Sequence, residues 1–505
     1  MSRIKIGWAS RDVSTRKPVN MSGQFHMRII RGILDPITVT ALVVENSGDI
    51  AVLLSGDMID CRNRILDELR TRVHQAYPQI PAEKILINAT HTHTAATHVG
   101  GVGSISFSKG EAFNHDGVEI ASSDAYRNFL VDQMFDAVCE AYENRSEGGI
   151  SYGYGFAVVA FSRRVVYFDD LSQRPGAVSD STHGVDGHVR MYGYTSDPMF
   201  SHYEAGADPF VNLLFTFDRD NQLTGAIINI PCPSQNSEDE YLVSADYWHD
   251  IRTAIREKYG NIFILPQCAA AGDLSPRQLH YKDAQARRYR LKYGEIETQA
   301  DNKTEIMNRM EIAQRVAACF DDVYSWASKE IITDPVVAHQ VETVHLPRRL
   351  VTEEEYTHAL QGLEMEQDAA FTYDGTPLEN LHHNSIIMSK RGRYRRIIAR
   401  YENQDTSPLP MELHVIRIGD VAFATNRFEL FMDYQHRIQA RSPFVQTFVV
   451  QLVAQPELDN GSYLPTERGL WGKGFGASVY DNQVTPEAGQ IIVEETVKTL
   501  HRLCE

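Results

Sequence analysis

Apolar and polar positions along the chain switch repeatedly between a period of two and a period near 3.6. Residues 4–10 (IKIGWAS), 37–46 and 50–58 read as strands, the last two joined by the turn Ser47-Gly48-Asp49. Residues 60–77 carry apolar side chains at helical spacing, and 84–90 (KILINAT) return to a short apolar run that predicts a strand. A second helix is predicted over 123–144, with Asp124 near its start, where the helix dipole favours negative charge. Strands follow at 210–218 and 223–231, a helix at 246–260, and a strand running into a turn over 261–276. The strand pattern returns at 411–426 and 448–455, and a helix over 485–503 closes the chain. Residues 276–330 and 351–403 are charged and helical in pattern, which predicts solvated helices over the sheet. Residues 171–209 lack periodicity and are rich in turn formers, which predicts a long functional loop. No internal repeat, low-complexity tract or linker is visible. The pattern predicts an α/β fold with a central mixed β-sheet core flanked by helices and long functional loops. It also predicts a single catalytic domain over 1–505, with 276–403 largely helical.

Composition narrows the classes of function. The 505 residues are 43% hydrophobic and 23% charged, ordinary globular usage that excludes disordered and fibrous chains. A net charge of -18 repels polyphosphate, so nucleic acid is excluded as a partner. The six cysteines form no Cys-x-x-Cys pair and read as individual thiols. The first twenty residues lack the apolar segment of a signal peptide, and no apolar run is long enough for a transmembrane segment. The expectation is a soluble, cytoplasmic chain as it stands, secreted or periplasmic if a leader was removed.

Candidate chemistry clusters at predicted strand ends. His91 and His93 lie at i and i+2, on one face if the backbone there is extended, where they would chelate a metal or divide metal binding and proton transfer. The alternative is two polar residues at a strand end. His98, in the glycine-rich loop beyond, is a weaker candidate for touching substrate. Ser275 follows Gly272 and Asp273 after an apolar strand, where nucleophiles and substrate-binding hydroxyls sit. Its alternative role is to cap a helix with Pro276 at the first position. Asp273 is a weak candidate for binding substrate. Cys232 stands between two prolines directly after a strand, and Glu429 opens what reads as a helix.

These segments, in this order, resemble the catalytic domain of the neutral/alkaline non-lysosomal ceramidases. VNMSGQFHMRIIRGI resembles that family's Asn-Met-x-Gly segment and the arginine-containing stretch after it. AVLLSGDM is similar to its next strand, and NATHTHT to its Thr-His-Thr-His-Ser signature. VSADYW looks like its Ser-Ala/Gly-Asp-Asn segment and AAAGDLSPRQ like its Asn-x-Gly-Asp-x-Ser-Pro-Asn segment. The resemblance implies a zinc cofactor held by His91, Cys232, Glu429 and Tyr463, where Cys232 in NIPCPSQ stands at the position of a family histidine. It implies His93 as proton carrier or oxyanion partner, Arg163 beside the scissile carbonyl and Ser275 as the active-site serine. It also implies a zinc-dependent hydrolase that cleaves a linear amide in a small-molecule, glycan- or lipid-derived substrate. The family's C-terminal β-sandwich domain has no counterpart here, and no basic amphipathic face for reaching membrane lipid is visible, so ceramide itself is not the expected substrate. Two alternatives stay open: hydrolysis or elimination on a polar carbohydrate or uronide, and a metal-free binding protein.

Overall fold

Alternation of side chains builds the first sheet. Along Thr38–Asn46, Val39, Ala41 and Val43 face a core shared with helices, whereas Leu42 and Val44 face a core walled by strands. The computed structural model describes residues 3–100, 117–175, 187–459 and 461–505. Lys5–Asp12 (β1) pairs antiparallel with Thr38–Asn46 (β2), which turns through Ser47 and Gly48, at φ 57° and 81°, into Asp49–Gly56 (β3). The helix Ile65–Ala76 then carries the chain to Ile85–Ala89 (β4), parallel to β3. β4 reads ILINA and is buried throughout, as a strand covered on both faces must be. The helix Ser123–Glu143 completes the unit by packing on β1 and β2.

The same unit recurs twice. Ser146–Phe156 (β5), Phe210–Asp218 (β6) and Leu223–Ile230 (β7) run antiparallel; the helix Tyr247–Tyr259 leads to Phe263–Cys268 (β8), parallel to β7; and the helix Lys303–Ala327 packs outside. Val337–Leu346 (β9), Leu409–Ile418 (β10), Val421–Thr425 (β11), the helix Met432–Arg441, Gln446–Val450 (β12) and the helix Pro486–Cys504 repeat the arrangement. The first two units join through a short β1–β5 pairing into one eight-stranded mixed sheet, ordered β8-β7-β6-β5-β1-β2-β3-β4. The third forms a four-stranded sheet, β9-β10-β11-β12.

Inner faces of both sheets share one core, in which Trp8, Leu42, Leu214, Leu265, Phe423 and Phe448 are buried together. The long helices cover the outer faces. The three parallel strands β4, β8 and β12 are brought side by side. Asn88 Nδ2 donates to the Pro266 carbonyl (3.2 Å), Asn229 Nδ2 to Val449 (2.9 Å), Ala454 N to Ile87 (2.8 Å) and Gln451 N to Cys268 (3.0 Å). Their C-terminal ends therefore converge, and the loops that leave β4 and β8 meet above the sheets.

The expected α/β fold with a central mixed sheet is the one observed. Three local expectations are corrected. The first helix begins at Ile65 rather than near 60, because Asn63 and Arg64 both adopt left-handed backbone, at φ 54° and 55°. Within 171–209, Val189–Met191 and Phe200–Tyr203 flank Arg164–Tyr167 in a three-stranded sheet, while 176–186 lie outside the described residues. The helical block 276–403 is interrupted by β9, and Lys303–Ala327 is a core helix, burying Ile312, Val316, Phe320 and Val323. Among the described residues no helix is long and apolar enough to cross a membrane.

One buried ion pair ties the first unit to the second. Asp57, just past β3, accepts from Arg252 Nη1 and Nη2 (2.7 and 3.1 Å) and from Thr38 N (2.8 Å), and lies near Thr90 Oγ1 (3.4 Å). Removing one partner leaves an uncompensated buried charge. Asp57→Ala is therefore expected to lower unfolding free energy by about 3–5 kcal/mol in denaturant titrations, with the double variant Asp57→Ala/Arg252→Met recovering part of the loss. A single variant as stable as the parent would remove this role.

Candidate active site

The loop after β4 carries both histidines. Thr90 N bonds to Gly56 O and His91 N to Met58 O (both 3.0 Å), and the His91 backbone is left-handed, with φ 64°. The segment is thus a loop rather than extended strand, yet it turns both imidazoles to one point: His91 Nε2 lies 3.4 Å from His93 Nε2. Arg28 holds the loop from behind, donating to the carbonyls of Ser22 (2.5 Å), His93 (2.6 Å) and Glu240 (2.9 Å), and also to that of Glu238. Gly23 lets the strand-like segment beside it approach, since a Cβ there would stand 2.6 Å from His93 Cβ.

Glu429 and Tyr463 are register partners in a short parallel pair of strands. Glu429 Oε2 lies 3.3 Å from His91 Nε2, and its carboxylate also accepts the Tyr463 hydroxyl. Arg163 Nη2 donates to Tyr463 Oη and to the Gly272 carbonyl, both at 2.9 Å, and stands 3.7 Å from Glu429 Oε2. Burial works against the Arg163 charge, but Tyr463, Tyr192 and Glu429 outweigh it and its pKa rises. Burial likewise opposes the Glu429 carboxylate, and His91 and Arg163 hold its pKa down. Burial raises the Tyr463 phenol well above its ordinary value. Gly272 is required here, because a Cβ would meet the Glu429 carbonyl oxygen at 2.4 Å.

His91 Nδ1 faces the Ile59 carbonyl at 2.7 Å, which can only accept, so the proton sits on Nδ1 and Nε2 points to Glu429. Gln235 Nε2 lies 2.9 Å from His93 Nε2, and Glu238 Oε2 3.3 Å from His93 Nδ1. With the Gln235 amide as donor, His93 carries its proton on Nδ1 and presents a lone pair at Nε2. Burial lowers the His93 pKa further than Glu238 restores it. Burial would raise the Glu238 carboxyl, but the His93 hydrogen bond and Arg277 hold it down to about 2.

The remaining expected residues divide. Ser275 Oγ accepts from Arg277 N (3.1 Å) and meets Tyr192 Oη (3.2 Å); it caps a turn, since the next helix begins only at Lys282. Tyr192 also bonds Arg163, which links Ser275 to the cluster. Asp273 accepts the first amide of the helix Met432–Arg441 (3.0 Å), its carbonyl holds Arg163 N (3.1 Å), and burial raises its pKa to about 7. His98 is buried away from the cluster, accepting from Arg62 N (3.2 Å), with its pKa lowered by burial to about 4. Cys232 is not brought to the others. Its Sγ lies against the carbonyls of Val159 (3.4 Å) and Pro233 (3.6 Å), and burial beside Cys268 raises the thiol well above its ordinary pKa. Sequence reasoning missed Arg28, Tyr192, Gln235, Glu238 and Arg277. Gln235 and Glu238 had one signal, a proline-bounded turn directly after the buried strand β7.

Among the described residues no group of three or more His, Cys, Asp or Glu side chains is placed to hold a metal. His91 and Glu429 supply two such donors and the Tyr463 phenol, which belongs to none of those types, stands with them.

No family model matches the chain, and no curated protein matches it. Solved structures do. The neutral ceramidase from Pseudomonas aeruginosa superposes with a TM-score of 0.65 at 16% identity, over 99% of this chain and 75% of that one. A structure described as ceramidase complexed with C2 gives a TM-score of 0.63 at 14% identity, over 100% of this chain and 75% of that one. At such identity the likeness is one of architecture, and the chain has a ceramidase-like fold.

Proposed function

We propose that the chain is a zinc-dependent hydrolase of a linear amide. One observation carries this: His91 Nε2 stands 3.3 Å from Glu429 Oε2 and 3.4 Å from His93 Nε2 in a buried spot. Burial works against a proton on His91, but Glu429 outweighs it and the pKa rises, so a positive charge, either a proton or a cation in its place, belongs between His91 Nε2 and Glu429. The His91–Glu429 separation matches an edge of a tetrahedron whose metal–ligand bonds are about 2.0–2.1 Å. His91, Glu429 and Tyr463 would hold the ion and leave a position open, with Cys232 outside the set. Bound zinc supplies Lewis acidity toward a carbonyl and brings the pKa of a water toward neutrality.

The chain's own residues do the rest. His93 accepts a proton at Nε2, and Glu238 steadies the charge that results. Arg163, locked by Gly272 and Tyr463, faces the oxygen that becomes negative as the amide carbon turns tetrahedral. Ser275 has the Tyr192 hydroxyl and the Arg277 amide as neighbours rather than a base, so it orients substrate and does not attack.

A cavity of about 410 Å³ opens beside Tyr192 and Arg277, lined by Asn236, Asn302, Asn308 and Glu305 among others. Burial pushes the Glu305 carboxyl up to about 8, so near neutral pH it is mostly protonated and donates a hydrogen bond. Such a lining favours a hydroxyl- or amide-bearing substrate, such as an N-acylated amino sugar, over a long-chain lipid.

Purified protein reconstituted with zinc is expected to retain about one ion per chain by elemental analysis. His91→Ala and Glu429→Ala lose it and Cys232→Ser keeps it; a zinc-free parent, or loss in Cys232→Ser, sinks the proposed set. In a hydrolysis screen, N-acyl amino sugars should be cleaved faster than N-acylsphingosines. Arg163→Gln should then lower kcat about 10²–10³-fold, while Ser275→Ala acts mainly on KM. Turnover of N-acylsphingosine alone would refute the polar substrate and leave the hydrolase standing.

A further inference from the structure

Arg163 does not answer a developing oxyanion alone. A guanidinium has five N–H donors. Four acceptors already face this one: the Gly272 carbonyl and Tyr463 Oη (both 2.9 Å), Gln235 Oε1 (3.3 Å) and the Tyr192 hydroxyl. That leaves one donor for substrate, whereas an oxyanion pocket ordinarily converges several on the oxygen.

Tyr192 is the neighbour with a donor to give. Ser275 is fully buried and Arg163 is 2% exposed, whereas Tyr192 is half-buried and lines the cavity of about 410 Å³. Arginine only donates, so the bond between Arg163 and Tyr192 ends on a lone pair of the phenol oxygen and leaves the phenol hydrogen to be given elsewhere. Here it goes to Ser275 Oγ at 3.2 Å, an oxygen that already accepts from Arg277 N at 3.1 Å. A hydroxyl that accepts from a cation is also the stronger donor, because hydrogen bonds in series polarise one another.

Backbone strain aims this side chain. Tyr192 has φ 53°, in the left-handed region that residues other than glycine rarely adopt. Its N–H is tied to the Arg163 carbonyl (2.7 Å), and at Gly193, next in the chain, a Cβ would collide with the Tyr167 hydroxyl.

We propose that Tyr192 is a catalytic residue of the amide hydrolysis, donating its O–H to the oxygen of the scissile carbonyl, beside Arg163, as that oxygen becomes negative. The inference rests on the hydrolase reading of the cluster. When substrate binds, the phenol exchanges Ser275 Oγ for the substrate oxygen, Arg163 stays on its lone pair, and no proton is transferred.

Two measurements on the zinc-loaded full chain test this: steady-state hydrolysis of N-acetylglucosamine, and calorimetric binding of the methylphosphonamidate of glucosamine. In the latter a tetrahedral phosphorus with charged oxygens stands for the amide carbon at the transition state. Tyr192→Phe keeps the ring and removes the O–H. It is expected to lower kcat about 10²-fold with KM changed less than about twofold, to weaken the phosphonamidate by a similar factor, and to keep its zinc. Tyr194→Phe, at an exposed phenol two positions on, should change neither. If N-acetylglucosamine is not cleaved, the phosphonamidate comparison decides alone. A Tyr192→Phe variant that matches the parent in both measurements overturns the role. So does one that raises KM alone or loses its zinc, since Tyr192 then holds substrate or the fold and not the oxyanion. A zinc-loaded parent that neither cleaves the amide nor binds the phosphonamidate refutes the hydrolase reading itself, and this role with it.

Discussion

A carboxylate buried where water cannot reach must share its charge, and the candidate site is organised round that demand of Glu429. Burial opposes the Glu429 charge, and His91 at 3.3 Å with Arg163 at 3.7 Å answers it and holds its pKa down. Holding such atoms together takes mechanical support. Arg28 supplies it, spending its guanidinium on the backbone carbonyls of Ser22, His93, Glu238 and Glu240 instead of on a carboxylate. Asp246 adds more. Its backbone, at φ 56° and ψ -148°, occupies a region where glycine is usual, at a cost on the order of 1–3 kcal/mol. Its carboxylate offsets that cost by gathering Ser237 N (2.7 Å), Tyr247 N (2.7 Å) and Asn236 Nδ2 (3.2 Å), which fixes the turn presenting Gln235 and Glu238.

The fold makes this support available because one unit is used three times. Each unit ends in a strand parallel to its predecessor, and placing β4, β8 and β12 side by side sends their loops to a common point. From the first comes His91 and His93, and from the second the Gly272–Ser275 turn, whose glycine packs on the Glu429 carbonyl. In the third the contribution comes one step earlier, from the loop between β11 and its crossover helix, which brings Arg427 and Glu429.

Much of the fold was legible because periodicity reports burial. The strands along 37–58, 84–90 and 210–231, and the helices at 123–144 and 485–503, were plain in the apolar pattern. The threefold repeat was not, since it lies in backbone pairing and the three units differ in their insertions and in the residues that fill each face. β9 escaped notice because its alternation is broken in the middle, where Gln340, Val341 and Glu342 are all half-buried. At the site, motif order located His91, His93, Arg163, Ser275, Glu429 and Tyr463, which do lie in one connected network. Sequence order misplaced Cys232, because a side chain's direction depends on a loop and the prolines on either side turn this one toward the Val159 carbonyl. Glu238 and Gln235, marked only by a proline-bounded turn, were missed for the opposite reason: they matter through contacts with His93, more than 140 positions away.

The meeting of β4, β8 and β12 also limits how the chain can be divided. Each is buried along nearly its whole length, and each relies on residues of the other two units to cover the edge it leaves open. A fragment holding one or two units would expose a bare edge strand with its backbone donors and acceptors unpaired, a template for joining other chains. The repeating element is therefore a unit of architecture but not of autonomy: its multiplicity resides in the backbone, and its solubility belongs only to the closed set of three.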